Sequence, residues 1–195
     1  MTRSIRIGAF AGNIVVAITL FAMGACTNSA TISRDYQYSF YDRDLVQYVA
    51  SKESFPVLVV ANAFGAGADD ALLAGLKLPG YYPPTPFTAT TAQARNDGHL
   101  ILVFDPIGAS SGQATCDAPE TQTMPAKSGA ANTVSLLAAF CYGREAVSVA
   151  YMEIPRPAGP ADQAFRADMA QLLAVLLPSQ RQDDGGCAQI AGVFC

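Results

Sequence analysis

The chain of 195 residues has no tryptophan, one histidine and few charges, with Asp, Glu, Lys and Arg together at 14%. Each shortage removes a class of function. A single imidazole, His99, cannot build a histidine-rich metal centre, and any serine–histidine chemistry would have to run through that one ring. The 12 basic residues form no run, so the electrostatic footprint of a nucleic-acid binder is missing. No two cysteines stand two residues apart, the spacing of a thiolate metal knuckle or a redox pair. No metal and no other cofactor is expected. No internal repeat or low-complexity tract marks a second domain.

What is present begins at the amino end. Arg3 and Arg6 open a segment without acidic residues. Ile7 to Phe21 is apolar apart from Gly12, Asn13 and Thr19, and the small-residue run Met23-Gly24-Ala25-Cys26 follows. The apolar part is short of the roughly 20 residues that span a bilayer, and its flanks are those of a cleaved signal peptide.

The four residues Met23, Gly24, Ala25 and Cys26 resemble the lipobox of bacterial lipoproteins, with Met23 where leucine is usual. The resemblance implies a signal peptide over 1–25 and a diacylglycerol on the Cys26 thiol. Two or three acyl chains together anchor a protein stably, at about 0.8 kcal/mol per buried methylene. Thr27, rather than aspartate, follows the cysteine. By the sorting rule of enteric lipoproteins this favours the outer membrane, with the chain facing the periplasm. Residues 26–35 read as a small, polar tether, and 36–195 as one periplasmic globular domain. The general layout resembles small proteobacterial envelope lipoproteins that carry no assigned activity, and that likeness transfers no catalytic residue.

Cleavage before Cys26 removes two of the 12 basic residues and none of the 16 acidic ones, leaving a formal charge of −6. That charge argues against the domain lying flat on anionic lipid. The four remaining cysteines, Cys116, Cys141, Cys187 and Cys195, form an even set in an exported chain, which implies disulfides. Of three possible pairings, Cys116–Cys141 with Cys187–Cys195 is favoured, the second stapling a Gly-rich tail.

Along the mature chain, Tyr36, Tyr38 and Phe40 alternate as in a short strand over 36–41. Asp42 is placed to cap a helix through about Glu53. Val57 to Val60 is a continuous apolar run, the mark of a strand buried on both faces, and Pro56 starts it. Gly65-Ala66-Gly67 then leads into a helix over 71–77 opened by Asp69 and Asp70. Strand, glycines and helix begin a dinucleotide fingerprint, but Asp70 stands at its third glycine and would repel a pyrophosphate. Residues 78–86 are rich in proline and hold Tyr81 and Tyr82, either a contact surface or a loop packing its own rings. A short strand over 87–94 follows.

Leu100 to Phe104 is the second strong strand. Beyond it, Gly108-Ala109-Ser110-Ser111-Gly112 matches the G-x-S-x-G pattern of a nucleophile elbow. The elbow needs a helix after the serine, and residues 113–129 hold Pro119 and Pro125 and no apolar period. It also needs a base. His99 lies upstream, roughly 20 Å away at about 3.3 Å per residue of strand, and a lysine base would have to be Lys77 or Lys127. The two runs 134–141 and 146–152 around Tyr142-Gly143-Arg144-Glu145 read as a hairpin. Asp162 caps a final amphipathic helix over 163–177.

The expected fold is therefore α/β or α+β: a single small domain with a mixed sheet of three to five strands, about three packed helices and disulfide staples. The expected function is a lipid-anchored envelope protein that binds a partner protein or assists an assembly without catalysis. Its alternatives are an envelope serine hydrolase using the 108–112 loop, and a small-molecule-binding lipoprotein with a pocket between sheet and helices.

Overall fold

A computed structural model describes residues 30–65, 67–91, 97–108, 110–123 and 132–180; the side chains of 34–36 are not described. The leader, Cys26, Lys127, Cys187 and Cys195 lie outside the described residues.

The chain forms β1 (Thr31–Gln37), α1 (Arg43–Ala50), β2 (Phe55–Val60), α2 (Asp69–Gly75), β3 (Phe87–Ala89), β4 (Gly98–Phe104), α3 (Gly112–Asp117), β5 (Thr133–Tyr142), β6 (Glu145–Pro155) and α4 (Gln163–Leu176), with a 3-10 turn at Pro119–Thr121. Six strands make one sheet in the order β1-β6-β5-β4-β2-β3. β1, β6, β5 and β4 each run antiparallel to the next, whereas β2 runs parallel to both β4 and β3. This is a mixed α+β domain, but with six strands and four α-helices rather than three to five and about three.

The helix starts follow from capping. Asp42 accepts from the Asp44 backbone N–H at 2.8 Å, and Asp162 accepts from Ala164 N and Phe165 N at 2.8 and 3.3 Å. These bonds satisfy donors that the first helical turn leaves without partners. Pro56 sits one residue into β2. Gly143, at φ 59°, takes the left-handed turn that joins β5 to β6.

Two layers of side chains follow from strand alternation. Leu100, Leu102 and Phe104 of β4 face α1, α2 and α4, in a core with Val46, Val49, Phe140, Leu172 and Leu176. Ile101 and Val103 face the opposite way, into a smaller cluster with Cys116, Leu137, Cys141 and Val149. β4 is buried along its whole length, which explains its continuous apolar sequence.

Two sequence boundaries move. β1 starts at Thr31, so residues 31–35 belong to the sheet and not to the tether; Ile32 packs on the core while Thr31 and Ser33 face solvent. Of the strand expected over 87–94, Phe87–Ala89 is formed, and residues 92–94 lie outside the described residues. Among the described residues no helix is long and apolar enough to cross a membrane.

Candidate functional site

The sheet has two chemically different ends. At one end lie the carboxyl ends of β2 and β4. β2 leads into α2, which packs on the larger core, and β4 leads towards α3, whose Cys116 belongs to the smaller one. The two chains thus part to opposite faces, the arrangement that opens a crevice in α/β sheets. Both exits bear strain: Ala61 has φ 53° and Asp105 φ 45°, the non-glycine residues with positive φ among those described. Asn62 Nδ2 donates to Asp69 Oδ1 at 2.6 Å, and Asp105 accepts from Ser135 N at 3.3 Å.

The serine loop leaves from this end after Asp105 and returns over the smaller cluster: Gly112 packs on Ala146 and Val149, and Gln113 donates to the Arg144 carbonyl at 2.9 Å beside the β5–β6 turn. A helix does follow the serines: α3 runs from Gly112 to Asp117, against the expectation of a helix-free loop. Its cause is local. Ser111 Oγ accepts from Ala114 N at 3.1 Å as the N-cap, and Thr115 Oγ1 donates back to the Ser111 carbonyl at 2.8 Å. Gly112 is demanded by packing, since a Cβ there would lie 2.0 Å from Val149 Cγ2. The motif therefore has a structural explanation at two of its positions.

Its chemistry is not assembled. Ser110 is buried, its hydroxyl points to the Gln122 carbonyl at 3.4 Å, and the Tyr151 hydroxyl donates to the Ser110 carbonyl. His99 is at the other end of β4, buried, with Nδ1 2.8 Å from the Asp97 carbonyl. Lys77 lies just past α2, and the structure does not bring it to Ser110. The Cys116–Cys141 disulfide is formed, and it ties α3 to β5 beneath the loop.

The dinucleotide reading fares no better. The turn after β2 is built as expected, with Gly65 and Gly67 at φ 92° and 87°. The helix it enters is seven residues long, lacks a side-chain cap and opens with Asp69 and Asp70. Those carboxylates face any incoming phosphate with like charge.

Cavities lie at the margins. Side chains of α1, α2 and α4 pack with those of the sheet into the larger core on this face. A groove of about 390 Å³ runs between α2 and edge strand β3, lined by Asp70, Leu73, Leu76 and Phe87. A smaller one of about 90 Å³ lies under the start of α4, lined by Asp162, Phe165 and Asp168. Burial raises the Asp168 carboxyl above its ordinary value, with the nearby Asp162 charge adding to it.

The opposite end of the sheet, at the β5–β6 turn, is aromatic. Among the described residues, Phe40, Tyr48, Tyr81 and Tyr142 are the large apolar side chains left exposed, at 47%, 53%, 38% and 40%. All four belong here. Tyr142 pairs with Gly98, where β4 begins. Tyr48 is on α1, whose Val49 packs over Gly98. Phe40 follows β1 and touches Tyr38, whose N–H donates to the Val147 carbonyl at 3.1 Å. Tyr81 accepts from Arg43 at its carbonyl and donates to the Leu177 carbonyl at 2.8 Å. Its neighbour Tyr82 is buried, bonding the Tyr41 hydroxyl and the Pro178 carbonyl, and burial raises its phenol. The proline-rich loop thus packs one ring inward and presents the other. Sequence inspection found the tyrosines of this loop but not their gathering with Phe40, Tyr48 and Tyr142, which only the strand register reveals.

No family model, curated protein or solved structure matches the chain.

Proposed function

We propose that this chain is a lipid-anchored protein of the cell envelope. Cys26 holds it at the outer membrane facing the periplasm, and its role is to bind another envelope protein rather than to catalyse a reaction. The observation that carries this reading is the separation of the two ends of the sheet. β1 enters at Thr31, paired with Glu153, and reaches Gln37, paired with Ser148. Six steps of strand cover about 20 Å at ~3.3 Å each. The five steps from Cys26 to Thr31 reach at most about 18 Å. A lipid on Cys26 therefore keeps the carboxyl-end crevice near the membrane and turns the aromatic end outward.

Exposed aromatic side chains gathered at one place are the usual anchors of protein–protein contacts. The hydrolase alternative is weakened by the buried Ser110 hydroxyl, turned to the Gln122 carbonyl, and by His99, whose Nδ1 is held at the Asp97 carbonyl. The reading is tested by metabolic labelling with an alkyne fatty acid and membrane fractionation. Wild-type chain takes up label and sediments with outer membrane, whereas Cys26→Ala takes up none. Label retained in Cys26→Ala, or wild-type chain recovered wholly soluble, overturns the anchor.

A further inference from the structure

We infer that the ridge from Asp44 through Tyr48 to Tyr142 and Glu145 is a docking surface for a cationic peptide segment, one presenting arginine or lysine side chains. The inference rests on the binding role proposed above and adds the chemistry of the partner.

The ridge is continuous through contacts. Asp44 and Tyr48 are four residues apart on the exposed side of α1, and Lys52 follows four residues later. Lys52 Nζ lies 4.6 Å from the Tyr48 ring centroid and 2.8 Å from Asp97 Oδ2. The Asp97 carbonyl accepts from Gly143 N at 3.3 Å, which brings the Tyr142–Glu145 turn alongside. Arg144 in turn pairs with Asp117 at 3.1 Å.

Charge decides the partner. Of the cations here, Lys52 and Arg144 are already matched by Asp97 and Asp117, and Arg43 donates to the Tyr81 carbonyl at 3.3 Å. Asp44, Glu53 and Glu145 are exposed acids for which no ion pair is formed among the described residues. The surface therefore combines uncompensated carboxylates with phenol rings. That pairing attracts guanidinium and ammonium groups, through charge at the rim and the ring faces at the centre. Lys52 over Tyr48 is an internal example of the same contact. The mature chain as a whole carries −6, so its long-range field favours a cationic partner.

The test uses the full-length lipoprotein in neutral detergent and fluorescence polarisation with three labelled probes: a decapeptide of alternating arginine and serine, its glutamate counterpart, and an N-acetylglucosamine tetramer. The arginine peptide binds and the other two do not. Tyr48→Ala combined with Tyr142→Ala weakens it at least tenfold at constant charge. Asp44→Asn with Glu145→Gln weakens it comparably, whereas Asp70→Asn with Glu153→Gln, the same charge change at the other end, stays within twofold. Equal losses from both charge pairs would reduce the effect to bulk attraction and overturn the site. Binding of the sugar tetramer alone would overturn the cationic partner in favour of a glycan. The aromatic variants change only exposed side chains, and a circular dichroism melt confirms that they fold. If in-cell crosslinks from this end persist while the arginine peptide fails to bind, the partner chemistry is wrong and the binding role stands.

Discussion

Gly112 and Val149 touch so closely that a side chain at position 112 would force Val149 to move: an added Cβ would come within 2.0 Å of Val149 Cγ2. The last glycine of the G-x-S-x-G sequence is there to let α3 settle on β6. Gly112→Ala is expected to lower stability by about 1–3 kcal/mol, the usual cost of overpacking. Val149→Ala should relieve the clash, so the double variant loses less than the sum of the two singles. Denaturant melts of the four proteins measure this, and strict additivity would show that the contact is not what fixes the glycine.

The Cys116–Cys141 bond closes a loop with a sequence separation of 25 residues. Both cysteines are fully buried, in the cluster under α3. Replacing both by alanine is expected to cost about 3 kcal/mol, from loop entropy and lost packing. Thermal unfolding with and without reductant measures it, and the double variant should be insensitive to reductant in this part of the chain.

Ala61 holds a left-handed conformation, φ 53°, that costs an L-residue with a Cβ roughly 1–2 kcal/mol. Ala61→Gly is expected to stabilise the domain by up to about 1 kcal/mol, after the unfolded chain's added freedom is counted. The same change at Asp105 should gain less, because aspartate tolerates this region better and its carboxylate holds Ser135 N. A lower melting temperature for Ala61→Gly would mean that the alanine methyl contributes packing that outweighs the strain.

Hydrogen bonds from Phe165 N and Ala164 N hold the Asp162 carboxyl below its ordinary value. A depressed native value favours the folded state above the unfolded-chain value near pH 4, and that contribution is lost as pH falls through the native value. Wild-type stability should therefore fall more steeply in acid than that of Asp162→Asn, which keeps a cap without the titration. Parallel acid-unfolding curves for the two proteins would contradict this role for the carboxylate.

Much of the fold is written locally. The runs around Val57–Val60 and Leu100–Phe104, the β5–β6 hairpin and the Asp162-capped final helix each carry their own period, apolar run, turn or cap. What escaped lacks such a signal. β1 is an edge strand whose polar Thr31 and Ser33 face water while Ile32 packs on the core; its identity comes from pairing with β6. α3 has six residues and no apolar period, and is made by the Ser111 cap, the Gly112 contact and the Cys116 bond. β3 has only three residues, Phe87–Ala89, and takes its place from pairing with Phe55–Val57. The aromatic end could not be read because Phe40, Tyr48, Tyr81 and Tyr142 are far apart in sequence and come to one end of the sheet only when the strand register is set.

The central claim is that the membrane-distal end, and not the serine loop, is the working surface. Its most direct test is in-cell photocrosslinking of the full chain, with a photoreactive amino acid at Tyr48, Tyr142 or, as the control at the other end, Asp70. The account predicts a discrete protein adduct from Tyr48 and Tyr142, none from Asp70, and loss of the adduct when Cys26→Ala removes the anchor. An adduct from Asp70 alone, or none from either aromatic position, would contradict it.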